Sequence, residues 1–338
     1  DQKFKSPSYF ARFTMDLFQH RYYRLNKTMM SLIGQWPYQS TFARRGFLAV
    51  LIFLSTSQIV PLILVVVRYH HDWKILLDCA VPILFFAVCA AKLFGFVWYS
   101  PKVSFLLDHI RADWKLWAWD REVNILHEYA KQGQKMATVY TAVMFLNIFI
   151  FMTQPVIPKI IDVLLKNGTE TGQLPFPVYY YHLDVQKYYF YIVTYSYVCV
   201  FMMTTVSIIS DVMLIIYVQH GCGIFDALGI IKIRPKLSDT MVQSSELVER
   251  TRLVKLINMI NKSTLVRYAT LIEAAYSWPI LFVVGFGMIL INILMNTDDL
   301  VAMPRLVFFA LCIMLHFYID CYICQTLMDH SSSIHFYM

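Results

Sequence analysis

Six long apolar stretches alternate with more polar connections along the chain. An α-helix needs about 20 mostly apolar residues to cross the hydrocarbon core of a bilayer. The six stretches meet that length, and they cover residues 46–67, 75–98, 136–158, 188–216, 270–295 and 302–326. The pattern predicts an all-α membrane protein, a multi-pass helical bundle with six spans.

The two longest connections, 99–135 and 217–269, carry apolar residues at helical spacing. In the first, Ile110, Trp114 and Trp117 would share one face of a helix. In the second, the corresponding positions are Leu253, Leu256, Ile257 and Ile260. Such helices either lie on the membrane surface or pack against the ends of neighbouring spans, and the spacing leaves both open.

The composition agrees with a membrane location. The chain is 58% hydrophobic and 15% charged, whereas soluble domains carry about 25% charged residues. No tandem repeat or low-complexity segment divides residues 1–338, so we expect one transmembrane domain. No motif points to nucleic acid, and no such partner is expected.

The distribution of positive charge predicts the orientation. Most of the 29 Lys and Arg residues lie in the segment before the first span and in connections 99–135 and 217–269. Cytoplasmic flanks collect Lys and Arg, so the N-terminus is predicted to be cytoplasmic. In that leading segment Phe10, Phe13 and Leu17 lie beside several arginines and predict a surface helix.

Three glycosylation sequons test this orientation independently. They begin at Asn26, Asn167 and Asn261, and only Asn167 lies outside the cell in the predicted topology. Because the Asn-x-Ser/Thr motif is modified only where it reaches the lumen of the secretory pathway, Asn167 is the expected glycosylation site.

Motifs of catalysis are missing from the sequence. It contains no P-loop, no HExxH, no nucleophile elbow and no dinucleotide fingerprint, so an enzyme is not expected. Cys321 and Cys324 form a CxxC in apolar surroundings without a second ligand pair, which indicates packing and not a metal site. We therefore expect neither a metal nor another cofactor.

Several ionisable residues lie within the predicted spans. Lys92, Asp211, Glu273 and Asp320 fall toward the cytoplasmic ends, and Asp78 and Arg305 toward the opposite ends. Such groups either reach an interface or form hydrogen bonds inside a helix bundle. His316, the deepest titratable side chain, is expected to form hydrogen bonds as part of the structure.

Aromatic residues near the start of the fourth span follow one helical face. They are Tyr188, Tyr191 and Tyr195, with Val198 and Met202 continuing the row, while Phe145, Phe149 and Met152 do the same on the third span. A tyrosine face suits either a small-ligand pocket or an interfacial aromatic belt. Tyr195 lies about 10 Å deeper than Tyr188, too deep for a simple belt.

Six segments spread over the chain carry a resemblance to a known family. They are RYYRLNKTMMSLIGQWPYQS, LLDHIRADWKLW, HEYAKQGQKMATVY, LPFPVYYYHLD, SDVMLIIYVQHGCGIFDAL and FYIDCYICQTLMDHSSSIHFYM. In their order and spacing the chain resembles an insect odorant receptor of the kind expanded in ants, bees and wasps.

The resemblance implies more than the spans do. It implies a seven-helix receptor in the plasma membrane of sensory dendrites, assembled with a common co-receptor subunit into a tetrameric, odorant-gated cation channel. The seventh, pore-lining helix is expected beyond Met338. The odorant pocket is expected in the outer half of the bundle, and the positions that match by region are Val81, Phe85, Phe149, Met152, Tyr191, Tyr195, Phe308 and Cys312.

Other membrane protein classes fit the sequence less well. A G-protein-coupled chemoreceptor would have an extracellular N-terminus, and most also have a DRY-like triplet after the third span, where this chain reads PKIIDV. A secondary transporter would show paired interrupted helices and polar groups at the midplane of the membrane. A gustatory-type receptor remains an alternative.

Overall fold

Helices make up most of the part of the chain that the structure describes. A computed structural model describes residues 17–117, 123–153, 174–179, 187–237, 262–295 and 303–337, and these residues contain no strand. After a short 3₁₀ turn at Leu17–Gln19, the helices are α1 (Arg24–Leu32), α2 (Thr41–Arg68), α3 (Trp73–Trp98), α4 (Ser100–Leu116), α5 (Val123–Thr153), α6 (Tyr189–Leu237), α7 (Lys262–Met295) and α8 (Met303–Tyr337).

Each predicted span corresponds to one of the long helices. Among the described residues, the helices α2, α3, α5, α6 and α8 are long and apolar enough to cross a membrane. Helix α7 makes a sixth crossing if its two parts, which meet at a bend of 41°, are counted together. The residue at position 279 is a proline, which has no N–H to donate to the carbonyl four residues earlier. That carbonyl lies at the break between the two parts of α7, which explains the bend.

Side-chain caps mark where α2 and α3 begin. The Ser40 hydroxyl accepts a hydrogen bond from the Ala43 backbone N–H at 3.3 Å. The Asp72 carboxylate accepts hydrogen bonds from the N–H groups of Lys74 and Ile75 at 3.0 and 3.4 Å. These bonds satisfy donors that have no partner within a first helical turn, so the two polar residues set the helix starts.

Helix α6 runs well past the end of the predicted fourth span. The span was expected to stop at residue 216, but the helix continues to Leu237. Val218, Cys222 and Ala227 on this extension are fully buried. A Cβ atom added to Gly223 would lie 3.1 Å from the Cβ of Tyr129, so the glycine allows α5 to approach α6 closely.

The segment before the first span belongs to the helical core. Tyr23 lies against α4, where the indole N–H of Trp114 donates a hydrogen bond to its hydroxyl at 2.9 Å. Ile110, Trp114 and Trp117, the predicted face of α4, are all completely buried. The apolar face of α4 therefore packs against neighbouring helices. The predicted surface positions Phe10 and Phe13, and the predicted face from Leu253 to Ile260, lie outside the described residues.

Candidate ligand-binding site

A cavity of about 160 Å³ lies among α3, α5, α6, α7 and α8. Every helix contributes residues spaced by one turn. The lining residues of α5 are Tyr140, Met144, Asn147, Ile148 and Phe151, those of α6 are Val200, Thr204, Ser207 and Ile208, and those of α8 are Phe308, Cys312, Ile313 and His316. This spacing of three and four residues places each set on a single face of its helix.

The walls of the cavity are apolar and rich in aromatic rings. Val81 and Phe85 of α3 lie on one side, and Val283 and Phe286 of α7 lie on another. Phe176, from the segment before α6, completes the wall, with its ring centroid 5.8 Å from that of Phe151. A preformed concave site of this composition binds small apolar molecules.

The volume of the cavity limits the size of a ligand. An engineered apolar cavity of about 150 Å³ in another protein stays dry and binds benzene or xenon. The cavity found here has almost the same volume, about 160 Å³. It therefore suits molecules of about benzene size and is smaller than the pockets of drug-sized ligands, which measure about 300 Å³ or more.

Two polar side chains form the floor of the cavity. The Tyr140 hydroxyl lies 2.7 Å from Nδ1 of His316, and it donates a hydrogen bond to Oδ2 of Asp211 at 2.6 Å. Nε2 of His316 lies 2.8 Å from the ammonium nitrogen of Lys92. The ammonium also donates to Oδ1 of Asp211 at 2.6 Å. Tyr140, His316, Asp211 and Lys92 thus form a closed ring of hydrogen bonds, which we call the floor network.

The floor network follows from the same helical faces as the cavity. Lys92 comes three residues after the lining residue Cys89, and Asp211 comes three residues after the lining residue Ile208. Both charged groups therefore lie one turn beyond the cavity, beneath Tyr140 and His316. The network joins α3, α5, α6 and α8, and all four of its members are buried. The sequence left open whether such ionisable residues reach an interface or form hydrogen bonds inside the bundle. For Lys92, Asp211 and His316 the structure shows hydrogen bonds inside the bundle.

Asp320 lies beside the floor network, and together with Asp211 and His316 it resembles a metal-binding site. Ligand atoms of Asp211, His316 and Asp320 all lie within 4.8 Å of one another. The Lys92 ammonium, however, already lies against Asp211 at 2.6 Å and against His316 at 2.8 Å. This fixed positive charge would repel a metal ion at the same place. We therefore assign the cluster to an ion pair with its hydrogen-bonded neighbours.

Four of the eight predicted site residues line the cavity. They are Val81, Phe85, Phe308 and Cys312. The prediction placed them by depth and by helix face, and the structure brings them together from α3 and α8. Ligand binding by these residues remains a prediction.

The other four predicted residues do not line the cavity. Phe149 and Tyr191 lie on the outside of the helix bundle, where their side chains are 65% and 73% exposed. Met152 is half-buried, and the Tyr195 hydroxyl forms a 2.5 Å hydrogen bond with Ser57 of α2. Because α6 is apolar on almost every side, the tyrosine spacing did not reveal which face turns inward.

Other lining residues had no clear signal in the sequence. Asn147 is one polar residue within a predicted span, and Val283 and Phe286 are apolar residues among many. Phe176, which lies before the fourth predicted span, is buried in the cavity wall. The prolines on either side of Phe176 were the available signal, since they favour an extended segment that could enter a bundle. Asn167 lies outside the described residues.

A comparison with protein-family models identifies the family of the chain. The family model described as 7tm Odorant receptor matches residues 74–336. No curated protein matches the sequence. Among solved structures, the fold is similar to that of the olfactory receptor OR5 of the insect Machilis hrabei, with a TM-score of 0.67 and 14% identity over 95% of this chain and 82% of that one.

Proposed function

Because the chain belongs to the odorant receptor family of multi-pass membrane proteins, we propose that it is the odorant-binding subunit of a ligand-gated, non-selective cation channel. The channel forms with a co-receptor subunit as a hetero-tetramer. The chain is a receptor and not an enzyme. The apolar cavity of about 160 Å³ lined by five helices is the observation that carries the proposal.

The cavity matches the chemistry of small volatile molecules. Such a molecule gains free energy when its apolar surface leaves water, roughly 25 cal/mol for each Å² that is buried. Its few atoms limit the total, so affinity is modest. Val81, Phe85, Phe308 and Cys312 are the proposed contacts from the predicted set.

Gating then follows from the position of the floor network. A ligand in the cavity touches Tyr140 and His316, whose hydrogen bonds tie α5 and α8 to α3 and α6. Occupation of the cavity stabilises one arrangement of these four helices over another. In this proposal the ligand shifts an existing equilibrium between closed and open channels, to the extent that it binds the open arrangement more tightly.

The charge distribution supports an N-terminus in the cytoplasm. In this orientation Asn167 faces outward and carries the glycan, while Asn26 and Asn261 stay inside. The proposed location is the plasma membrane, in the dendrites of olfactory sensory neurons. Membrane lipid covers the exposed apolar faces of α2, where Phe42, Phe53 and Val67 are 89%, 64% and 66% exposed.

Recording of odorant-evoked current tests the channel proposal. The receptor and the co-receptor subunit are expressed together, and a panel of small volatile compounds is applied. The proposal expects an inward cation current that needs both subunits. A G-protein response from this chain alone, with no ligand-gated current, would instead favour the chemoreceptor of the G-protein-coupled type.

Mapping of glycosylation tests the orientation separately. Removal of the sequon at Asn167 is expected to abolish the glycan-dependent shift in mobility. Modification at Asn26 or Asn261, with Asn167 unmodified, would reverse the proposed topology.

A further inference from the structure

Asn147 places an amide group in the otherwise apolar wall of the cavity. It lies one turn above Met144 and next to Ile148 on the lining face of α5. Within the described part of the chain, the Asn147 side chain forms no hydrogen bond. An amide in apolar surroundings is unfavourable unless its donor and acceptor find partners. A ligand in the cavity is in position to supply one.

Most of the other polar groups at the cavity are already engaged within the protein. The Thr204 hydroxyl donates to the Val200 carbonyl of its own helix at 2.8 Å. Tyr140 and His316 are held in the floor network at 2.7 Å from each other. Ser207 alone shares with Asn147 the absence of a hydrogen bond among the described residues. Asn147 therefore offers the strongest free donor and acceptor to a ligand.

The same geometry argues against charged ligands. A carboxylate in the cavity would need a cation, but the Lys92 ammonium lies beneath the floor and is paired with Asp211 at 2.6 Å. An amine would need a carboxylate, and Asp211 is engaged by Lys92 and Tyr140. A charge taken out of water without a counter-ion is strongly unfavourable.

We propose that the cavity selects neutral molecules of about benzene size that carry one hydrogen-bonding oxygen, and that Asn147 binds this oxygen. Alcohols, aldehydes and ketones fall in this class, and hydrocarbons and carboxylates do not. The inference rests on the proposed ligand-binding function of the cavity, and it adds the ligand class and the residue that determines it. The amide can donate to a carbonyl or accept from a hydroxyl, so both kinds of oxygen fit.

Binding to the purified receptor tests this inference without any need for channel activity. The probes are toluene, benzyl alcohol and benzoate, which share one ring and differ in a single substituent. Binding is measured directly by ligand-detected NMR on the receptor in lipid nanodiscs. Benzyl alcohol is expected to bind about tenfold more tightly than toluene, the effect of one good hydrogen bond. No binding of benzoate is expected.

Substitutions then assign the preference to one residue. Asn147→Leu keeps a similar volume but removes the amide, and benzyl alcohol should then bind no more tightly than toluene, because its hydroxyl would lose its hydrogen-bond partner in the cavity. Asn147→Ala repeats the test in case the leucine variant does not fold. Thr204→Val is the matched control, because its hydroxyl is already bonded to Val200, and it should keep the preference.

Four results would overturn the inference. They are equal binding of toluene and benzyl alcohol by the unmodified receptor, binding of neither, binding of benzoate, and a preference that survives in both Asn147 variants. Failure of the channel proposal would look different. In that case, ligand binding and its dependence on Asn147 would remain, but no compound would evoke a current with the co-receptor.

Discussion

The ammonium nitrogen of Lys92 lies 2.6 Å from a carboxylate oxygen of Asp211, and both side chains are almost completely buried. The two residues are 119 positions apart in the chain, so the pair joins α3 to α6. It lies one helical turn beyond the cavity, beneath Tyr140 and His316. This relationship links the shape of the candidate site to the arrangement of the helices around it.

Loss of one partner in this pair should destabilise the receptor strongly. Lys92→Met leaves Asp211 as a buried charge without its cation, which costs about 3–5 kcal/mol. We expect a clear fall in the thermal unfolding temperature of the detergent-solubilised protein. The double variant Lys92→Met with Asp211→Leu removes both charges and should recover much of the lost stability.

The matched control for this prediction is Lys115→Met. Lys115 is exposed near the end of α4, so the same substitution should change the unfolding temperature very little. Equal effects at positions 92 and 115 would contradict a structural role for the buried pair.

The Tyr140 hydroxyl is expected to contribute less than the ion pair, but measurably. Tyr140→Phe removes the donor to Asp211 and leaves a buried acceptor with fewer partners, at a cost of about 1–3 kcal/mol. Thermal unfolding should detect this change. Tyr318→Phe is the control, because Tyr318 is 66% exposed. A neutral effect at both tyrosines would show that the hydrogen bond to Asp211 adds no stability.

Docking of the N-terminal segment should depend on Trp114. The indole is fully buried and donates a hydrogen bond to Tyr23. Trp114→Ala should cost about 3–5 kcal/mol by leaving a cavity, and the loosened backbone should become cleavable by trypsin after Arg21 and Arg24. Trp98→Ala, at a tryptophan that is 68% exposed, should leave the cleavage pattern unchanged. Protection of both arginines in the Trp114 variant would contradict this packing.

The same segment should loosen at acidic pH because of His20. Burial, with a smaller effect from the neighbouring Arg21, lowers the pKa of His20 from 6.5 to about 4. The unfolded segment therefore binds more protons than the folded one between these values, and the contribution to stability present above pH 6.5 is lost as pH falls toward 4.

Hydrogen exchange measures this effect locally. Protection factors of residues 17–36 should be lower at about pH 5 than at about pH 7.5, and His20→Gln should reduce the difference. His70→Gln, at an exposed histidine after α2, should leave it in place. An undiminished pH dependence in the His20 variant would assign it to another group.

The helices could be predicted from the sequence because each one carries a strong local signal. The apolar runs of α2 and α3 are long enough to cross a bilayer, and polar caps at Ser40 and Asp72 precede them. The inner end of α6 was not predicted as part of the fourth span because Gln219, His220 and Gly221 interrupt the apolar run after residue 216. Gly221 and Gly223 on that extension permit close contact with α8 and α5.

The candidate site could be predicted only in part, for a different reason. Whether a residue such as Phe85 or Phe149 faces the cavity depends on how each helix is rotated in the bundle. In an apolar helix nearly every face is compatible with burial or with lipid, so periodicity does not fix the rotation. The floor network likewise depends on residues from four helices, whose proximity no local pattern reveals.

The most direct test of ligand binding in the cavity compares two identical substitutions. Phe85→Ala removes a ring from the cavity wall, whereas Phe149→Ala removes one that is 65% exposed. Odorant-evoked current is recorded from each variant with the co-receptor, at matched surface expression. We expect the half-maximal concentration to rise about tenfold or more for Phe85→Ala, since a buried aromatic contact contributes about 1.5–3 kcal/mol. Phe149→Ala should stay close to the unmodified receptor. Equal shifts in the two variants, or a larger shift for Phe149→Ala, would contradict a ligand site in this cavity.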